Sequence, residues 1–172
     1  KHTEFKDVFK EQIIDKADFV HDCTVDTDLE ILIPDSYVES IGERLSLYTR
    51  LDDCEQEEEL TLFATEMVDR FGPLPKAFED LFIALRVRWK GKELGFEKIM
   101  LKNEQLRMYF INNPDSPYFQ SPTFEYITQA IQLNLKNARL KHVGTLFMLV
   151  IDKVKGIQEL YRLLTLLTAP TP

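Results

Sequence analysis

The segment from Glu57 to Phe71 does most to limit what this chain can become. Leu60, Phe63, Ala64, Met67, Val68 and Phe71 recur at the i, i+3, i+4, i+7, i+8, i+11 spacing of a helix with one face in a core. Gly72 ends that helix, and Pro73 and Pro75 bracket a stiff turn into a further one. At about 100° per residue, Leu62, Glu66 and Asp69 project together on the side away from the stripe. Two carboxylates beside an outward leucine read as a contact surface. An ordinary polar helix face is the competing reading.

Around this helix the chain changes period. Asp18 to Ile33 alternates and is rich in Val, Ile and Thr, which predicts one long or two short strands before Pro34. Ser36, with Glu39 three residues on, has the spacing of a capping box, and Tyr37, Ile41, Leu45, Tyr48 and Leu51 then line the buried side of a first helix. The acidic run from Asp52 to Glu59 makes a solvated loop and a helix start whose carboxylates favour the positive end of the dipole. Phe78, Leu81, Phe82, Leu85 and Trp89 face inward on a third helix closed by Gly95. Beyond it, Phe96, Ile99 and Leu101 and then Leu106, Met108 and Phe110 alternate around the polar Asn103–Gln105 turn, a β-hairpin. Thr123 to Asn134 is helical. Ala138 to Val143 and Thr145 to Ile151 are strands about Gly144, the second apolar enough to be buried on both faces, and Val154 to Leu164 closes as a helix. The predicted class is α+β: an N-terminal helical cluster, then a small antiparallel or mixed sheet with packed helices in ββαββα order.

Composition narrows the function. A chain of 172 residues, 44% of them hydrophobic, buries one substantial core without disulfide or metal. A formal net charge of −8 opposes duplex DNA or an anionic membrane as the main target and suits a basic partner. Cys23 and Cys54 lack CxxC spacing, and with no secretory segment they read as reduced thiols of a cytoplasmic protein. No apolar run reaches the roughly 20 residues of a membrane span.

Catalytic signatures are sparse. His2, His21 and His142 are scattered, with no GxSxG or HExxH, and Gly91–Glu93 lacks both the upstream glycine and the Ser/Thr of a phosphate-binding loop. Two constellations stay open. Asp22, Asp26 and Asp28 share one face of an extended backbone, the arrangement of a small metal-dependent enzyme, against a plain polar strand face. Arg86, Arg88, Lys90 and Lys92 concentrate charge around Trp89, as in a nucleic-acid-binding accessory domain, although i, i+2 spacing spreads them around the helix.

Motifs in the first half carry a family resemblance. Arg44, Leu45, Ser46, Tyr48, Arg50 and Leu51, then Glu66, Asp69, Arg70, Phe71, Gly72, Leu74 and Pro75, then Glu93, Leu94 and Gly95 follow an order similar to the C-terminal domain of bacterial transcription-repair coupling factors, the Mfd family. The similarity is densest from Asp28 to about Gly95; from Phe96 onward it rests on the order of elements. The resemblance implies a regulatory domain of an ATP-dependent DNA translocase that removes stalled RNA polymerase and recruits nucleotide excision repair. Such a domain docks intramolecularly on a UvrB-like N-terminal module and masks the surface that recruits UvrA. An acidic pair on the D-R-F-G helix meets arginines there, which carries onto Glu66 and Asp69, with Leu62 beside them. ATP and magnesium belong to the parent's motor; no cofactor, metal or catalytic residue is expected in this segment, and no membrane partner. The expected division is 1–17 as an incoming helix and linker from the translocase, since Phe5, Val8, Phe9 and Ile13 are helically spaced and the chain starts without Met; 18–167 as the regulatory domain; and 168–172 as a frayed tail.

Overall fold

The computed structural model describes residues 19–170; the expected helix at 1–17 lies outside them. Three helices come first, α1 (Ile41–Asp52), α2 (Glu57–Phe71) and α3 (Ala77–Leu94), preceded by the short strand β1 (Thr24–Thr27). After Gly95 the chain forms β2 (Phe96–Lys102), β3 (Gln105–Phe110), α4 (Pro122–Asn134), β4 (Ala138–Val143), β5 (Leu146–Ile151) and α5 (Ile157–Leu166). The α+β class is thus as the pattern predicts.

The sheet has the order β1-β2-β3-β5-β4, with β1 parallel to β2 (Val25 opposite Ile99) and the remaining pairs antiparallel. The first strand therefore belongs to the second-half sheet. A parallel pair requires a long crossover, and α1, α2 and α3 supply it. Of the strand region expected over 18–33, only Thr24–Thr27 pairs. The β2–β3 turn is tighter than expected: Asn103 (φ 53°) and Glu104 (φ 62°) make a two-residue turn with both φ positive, as the twist of a hairpin favours, and Gln105 already pairs with Lys102.

Two cores share α3. On one side Phe78, Leu81 and Leu85 pack with Leu47, Leu60, Phe63 and Met67 of the helical lobe. On the other, Val87 and Leu94 join Ile99, Met108 and Leu149 of the sheet and Ile127, Leu160 and Leu164 of the last two helices. A helix wedged between two layers is apolar on two faces, which is why α3 shows no single stripe. Gly91 allows the close approach to the sheet, since a β-carbon there would stand 2.7 Å from Ile99 Cδ1 and 2.8 Å from Cys23 Sγ. Gly95 turns the chain at φ +93°, and an added methyl would enter the Tyr118 ring. The Tyr118 hydroxyl donates to the Leu94 carbonyl at 2.5 Å, which satisfies an otherwise orphaned acceptor at the end of α3.

The first helix departs from expectation. Its cap is Ser40, whose hydroxyl accepts from Glu43 N, and not Ser36. The chain before it turns at Pro34, whose carbonyl accepts from Tyr37 N and Val38 N, so Tyr37 is not helical. Starting the helix at Ile41 leaves Leu47 and Leu51 buried, while Ile41 and Leu45, expected in the core, are exposed. Both Ser36-Glu39 and Ser40-Glu43 satisfy the local capping pattern. Tertiary contacts of Tyr37, whose hydroxyl lies 3.0 Å from Met67 O and 2.8 Å from Gly72 O at the end of α2, select the second.

Candidate interdomain docking face

Helix α2 spans the predicted residues and turns its predicted stripe inward, with Leu60, Phe63 and Met67 buried. Val68, at the margin of that stripe, is exposed. On the far side Leu62 is 72% exposed, more than the other exposed large apolar residues of the three-helix lobe, and Asp69 is exposed beside it on the helix surface.

The D-R-F-G motif divides into three residues that build the fold and one that does not. Arg70 pairs with Glu43 of α1 and lies over the Phe71 ring, 4.8 Å from its centroid. Phe71 packs on Tyr37 at 5.5 Å between ring centroids. Gly72 adopts φ +95° and donates its N–H to Val68 O, closing the helix. Asp69 has no partner among the described residues. Its acidic companion is differently placed: Glu66 is ion-paired with Arg50 of α1, whose guanidinium also lies 5.4 Å from the Phe63 ring centroid. The hydrogen bond from Arg50 holds the Glu66 carboxyl below its ordinary value. The two acids thus share a face, yet Asp69 is open and Glu66 already serves the α1–α2 contact, which periodicity alone does not reveal.

The other two constellations are dispersed by the fold. The Asp22 carboxylate accepts from Cys23 N, Asp26 pairs with Lys102 at 3.1 Å, and Asp28 accepts from Asn103 N at 2.8 Å. No group of three potential metal ligands converges among the described residues. In the basic cluster Arg86 grips Glu57 through two nitrogens at 2.5 and 3.0 Å, Arg88 donates to the Asp52 carbonyl at 2.5 Å, and Lys90 pairs with Glu93. Arg86 and Arg88 tie α3 to the start of α2 and the end of α1, and the Lys90 pair stays within α3. Trp89 donates its indole N–H to Cys54 O at 3.0 Å.

Cys23 and Cys54 are buried and unbridged; burial pushes the Cys23 thiol up to about 12 and raises that of Cys54. Neither has the low pKa of a nucleophilic thiol. A cleft of about 750 Å³ at the β4–β5 turn is lined by Ile111, Phe119, Phe147 and His142 and contains no carboxylate. His142 stacks on Phe147 at 4.3 Å, a packing role. No described helix is long and apolar enough to cross a membrane.

Comparison with known proteins places this geometry. The sequence profile of the TRCF domain matches residues 27–121. A transcription-repair-coupling factor from Rickettsia conorii is 32% identical over 111 residues, 64% of this chain and 9% of its own length. That of Escherichia coli K12 is 35% identical over 68 residues, 40% of this chain and 6% of its own. The chain thus matches less than a tenth of the length of either relative. A crystal structure of the C-terminal domain of a transcription-repair coupling factor superposes with a TM-score of 0.66 at 18% identity, over 85% of this chain and 89% of that one, so the likeness extends through the sheet half where sequence motifs fade. With the matched segment covering more than half of its residues, the chain belongs to the TRCF domain family.

Proposed function

We infer that this domain is an autoinhibitory docking module of a transcription-repair coupling factor. It binds intramolecularly to a UvrB-like N-terminal module and masks the surface that recruits UvrA, while ATP, magnesium, duplex DNA and RNA polymerase engage other parts of the parent. The observation that carries the reading is the division of labour in D-R-F-G: Asp69 has no partner among the described residues, and it stands on the same helix face as the exposed Leu62. An exposed leucine with an open carboxylate fits a basic partner surface with an apolar spot. Exposed ion pairs are each worth about 0 to 1 kcal/mol, so a latch built on a few of them opens reversibly.

Glu66 takes part by sharing. An arginine of the docking partner would join or displace Arg50 on the same carboxylate, so docking and the α1–α2 contact are coupled through it. The test is UvrA affinity of the full-length parent. Asp69→Lys and Leu62→Asp, which leave the Arg50–Glu66 pair intact, should each raise it, and Glu66→Lys with Asp69→Lys should raise it furthest. Wild-type affinity in all three, with the domain folded, rules the latch out. The purified chain should turn over no ATP.

A further inference from the structure

The two faces of the sheet differ in what covers them. Ile99, Met108, Leu149 and their neighbours face the helices and belong to the larger core. The alternate residues face the other way: Lys98 and Lys102 on β2, Arg107 on β3, Arg139 and Lys141 on β4. Tyr109 stands among them, opposite Lys98 on one neighbouring strand and Met148 on the other. Met148 and Val150 on this side are buried yet belong to neither core.

Among the described residues, two carboxylates answer these five cations on the same face. Asp26 pairs with Lys102, and Asp152 pairs with Arg139 at 2.6 Å. Lys98 and Lys141 have no carboxylate partner among the described residues, and Arg107 donates only to the neutral Gln105 side chain at 2.8 Å. A cationic surface persists on a chain whose net charge is −8, so it does not follow from composition. With strands about 4.8 Å apart, Arg107 and Arg139 stand about 10 Å apart across the sheet, and Lys98 and Lys141 about 14 Å.

We propose that this cationic sheet face binds single-stranded nucleic acid, with phosphates on Lys98, Arg107 and Lys141 and a base stacked on Tyr109. Spaced cations around an aromatic ring on a flat sheet are what a single strand needs, because phosphate attraction supplies affinity and any base offers a face to the ring. An acidic peptide would gain more at a sheet edge, where main-chain groups are unpaired, than on a face whose ladder is complete. A duplex would make no use of an aromatic plane. The proposal is independent of the α2 docking face and concerns the opposite type of partner charge.

Fluorescence anisotropy of a labelled oligo-deoxythymidine with the 172-residue chain, titrated at stepped salt, tests it. Binding should weaken as salt rises, and Lys98→Ala and Lys141→Ala should each flatten the logarithmic salt slope by about 0.7. Tyr109→Ala should weaken binding by about 5- to 150-fold, with Tyr109→Phe near wild type. If Tyr109→Ala unfolds the domain, Tyr109→Leu, which keeps apolar volume without the ring, should show the same loss. Absence of binding at low salt, or binding unchanged in the lysine variants, overturns the proposal. So does equal binding of duplex and single strand without dependence on the Tyr109 ring, or tighter binding of a polyglutamate peptide, which would assign the face to an acidic protein.

Discussion

The helical lobe and the sheet layer are joined within themselves by different physics. Strands exchange main-chain hydrogen bonds along four neighbouring pairs, so the sheet's register is held by its backbone and its interior by close packing at Gly91, Gly95 and Tyr118. Helices satisfy their own backbones and must be held together by side chains. In the lobe these are Phe63, Phe78 and Phe82 inside, and at the rim the pairs Glu43–Arg70, Arg50–Glu66, Glu57–Arg86 and Asp52–Arg88. Steric error should therefore damage the sheet side most, while lost charge should be felt most in the helical lobe, where side chains alone join the elements.

The strongest challenges to this contrast are one substitution in each half. Gly95→Ala should cost about 2 to 6 kcal/mol, since it combines a strained positive φ with overpacking against Tyr118, each worth about 1 to 3. Phe63→Ala should cost about 3 to 5 kcal/mol by emptying the centre of the lobe. Urea denaturation measures both, and a small effect at Gly95 would mean that the sheet side yields more than its packing implies. Tyr118→Phe comes next: it keeps the ring but strands the Leu94 carbonyl, for about 1 to 3 kcal/mol on the same measurement.

Acidity acts on the rim pairs of the lobe and also on one sheet pair, where Gln105 and Arg139 hold the Asp152 carboxyl below its ordinary value. The hydrogen bonds from Arg86 and Arg50 lower the pKa of Glu57 and Glu66 in the folded protein from the ordinary 4.5. The folded state thus binds their protons less readily than the unfolded chain, so their stabilisation is complete above that value and is lost as pH falls through the lowered folded values. Thermal midpoints of wild type and of a Glu57→Gln, Glu66→Gln variant should differ at neutral pH and converge in acid. A constant difference would show that the rim pairs do not act through charge. The smallest effect belongs to Leu62→Ala, which should stay within about 0.5 kcal/mol because the side chain faces solvent. A loss as large as that of Phe63→Ala would mean that α2 is turned the other way.

Elements with a strong local signal were legible. The stripe and Gly72 bounded α2, the alternation about Asn103 placed the hairpin, and the apolar run ending at Ile151 is buried from Met148 onward. The outward set Leu62, Glu66 and Asp69 was equally readable, since helical period alone puts three residues on one side. Where two local patterns competed, as at Ser36 and Ser40, nothing nearby in the chain decided between them, and Ile41 and Leu45 were assigned to the wrong face in consequence.

Other features depend on residues far apart in the chain. Thr24–Thr27 pairs with a strand some seventy positions later, Arg50 reaches from α1 to Glu66 on α2, and Arg86, Arg88 and Lys90, so prominent in sequence, are drawn into contacts within the domain. The cationic sheet face is the clearest case. Lys98, Arg107 and Lys141 are each unremarkable on their own strands and become neighbours only through the β2-β3-β5-β4 order. Period and capping act over a few residues, so the sequence by itself determined the type and order of the main segments and which side of α2 faces out, while the start of α1 and the extent of β1 needed the fold. Strand order and ion-pair choice are settled by the free energy of the whole packed chain, so only the tertiary structure decided which charges remain available to a partner.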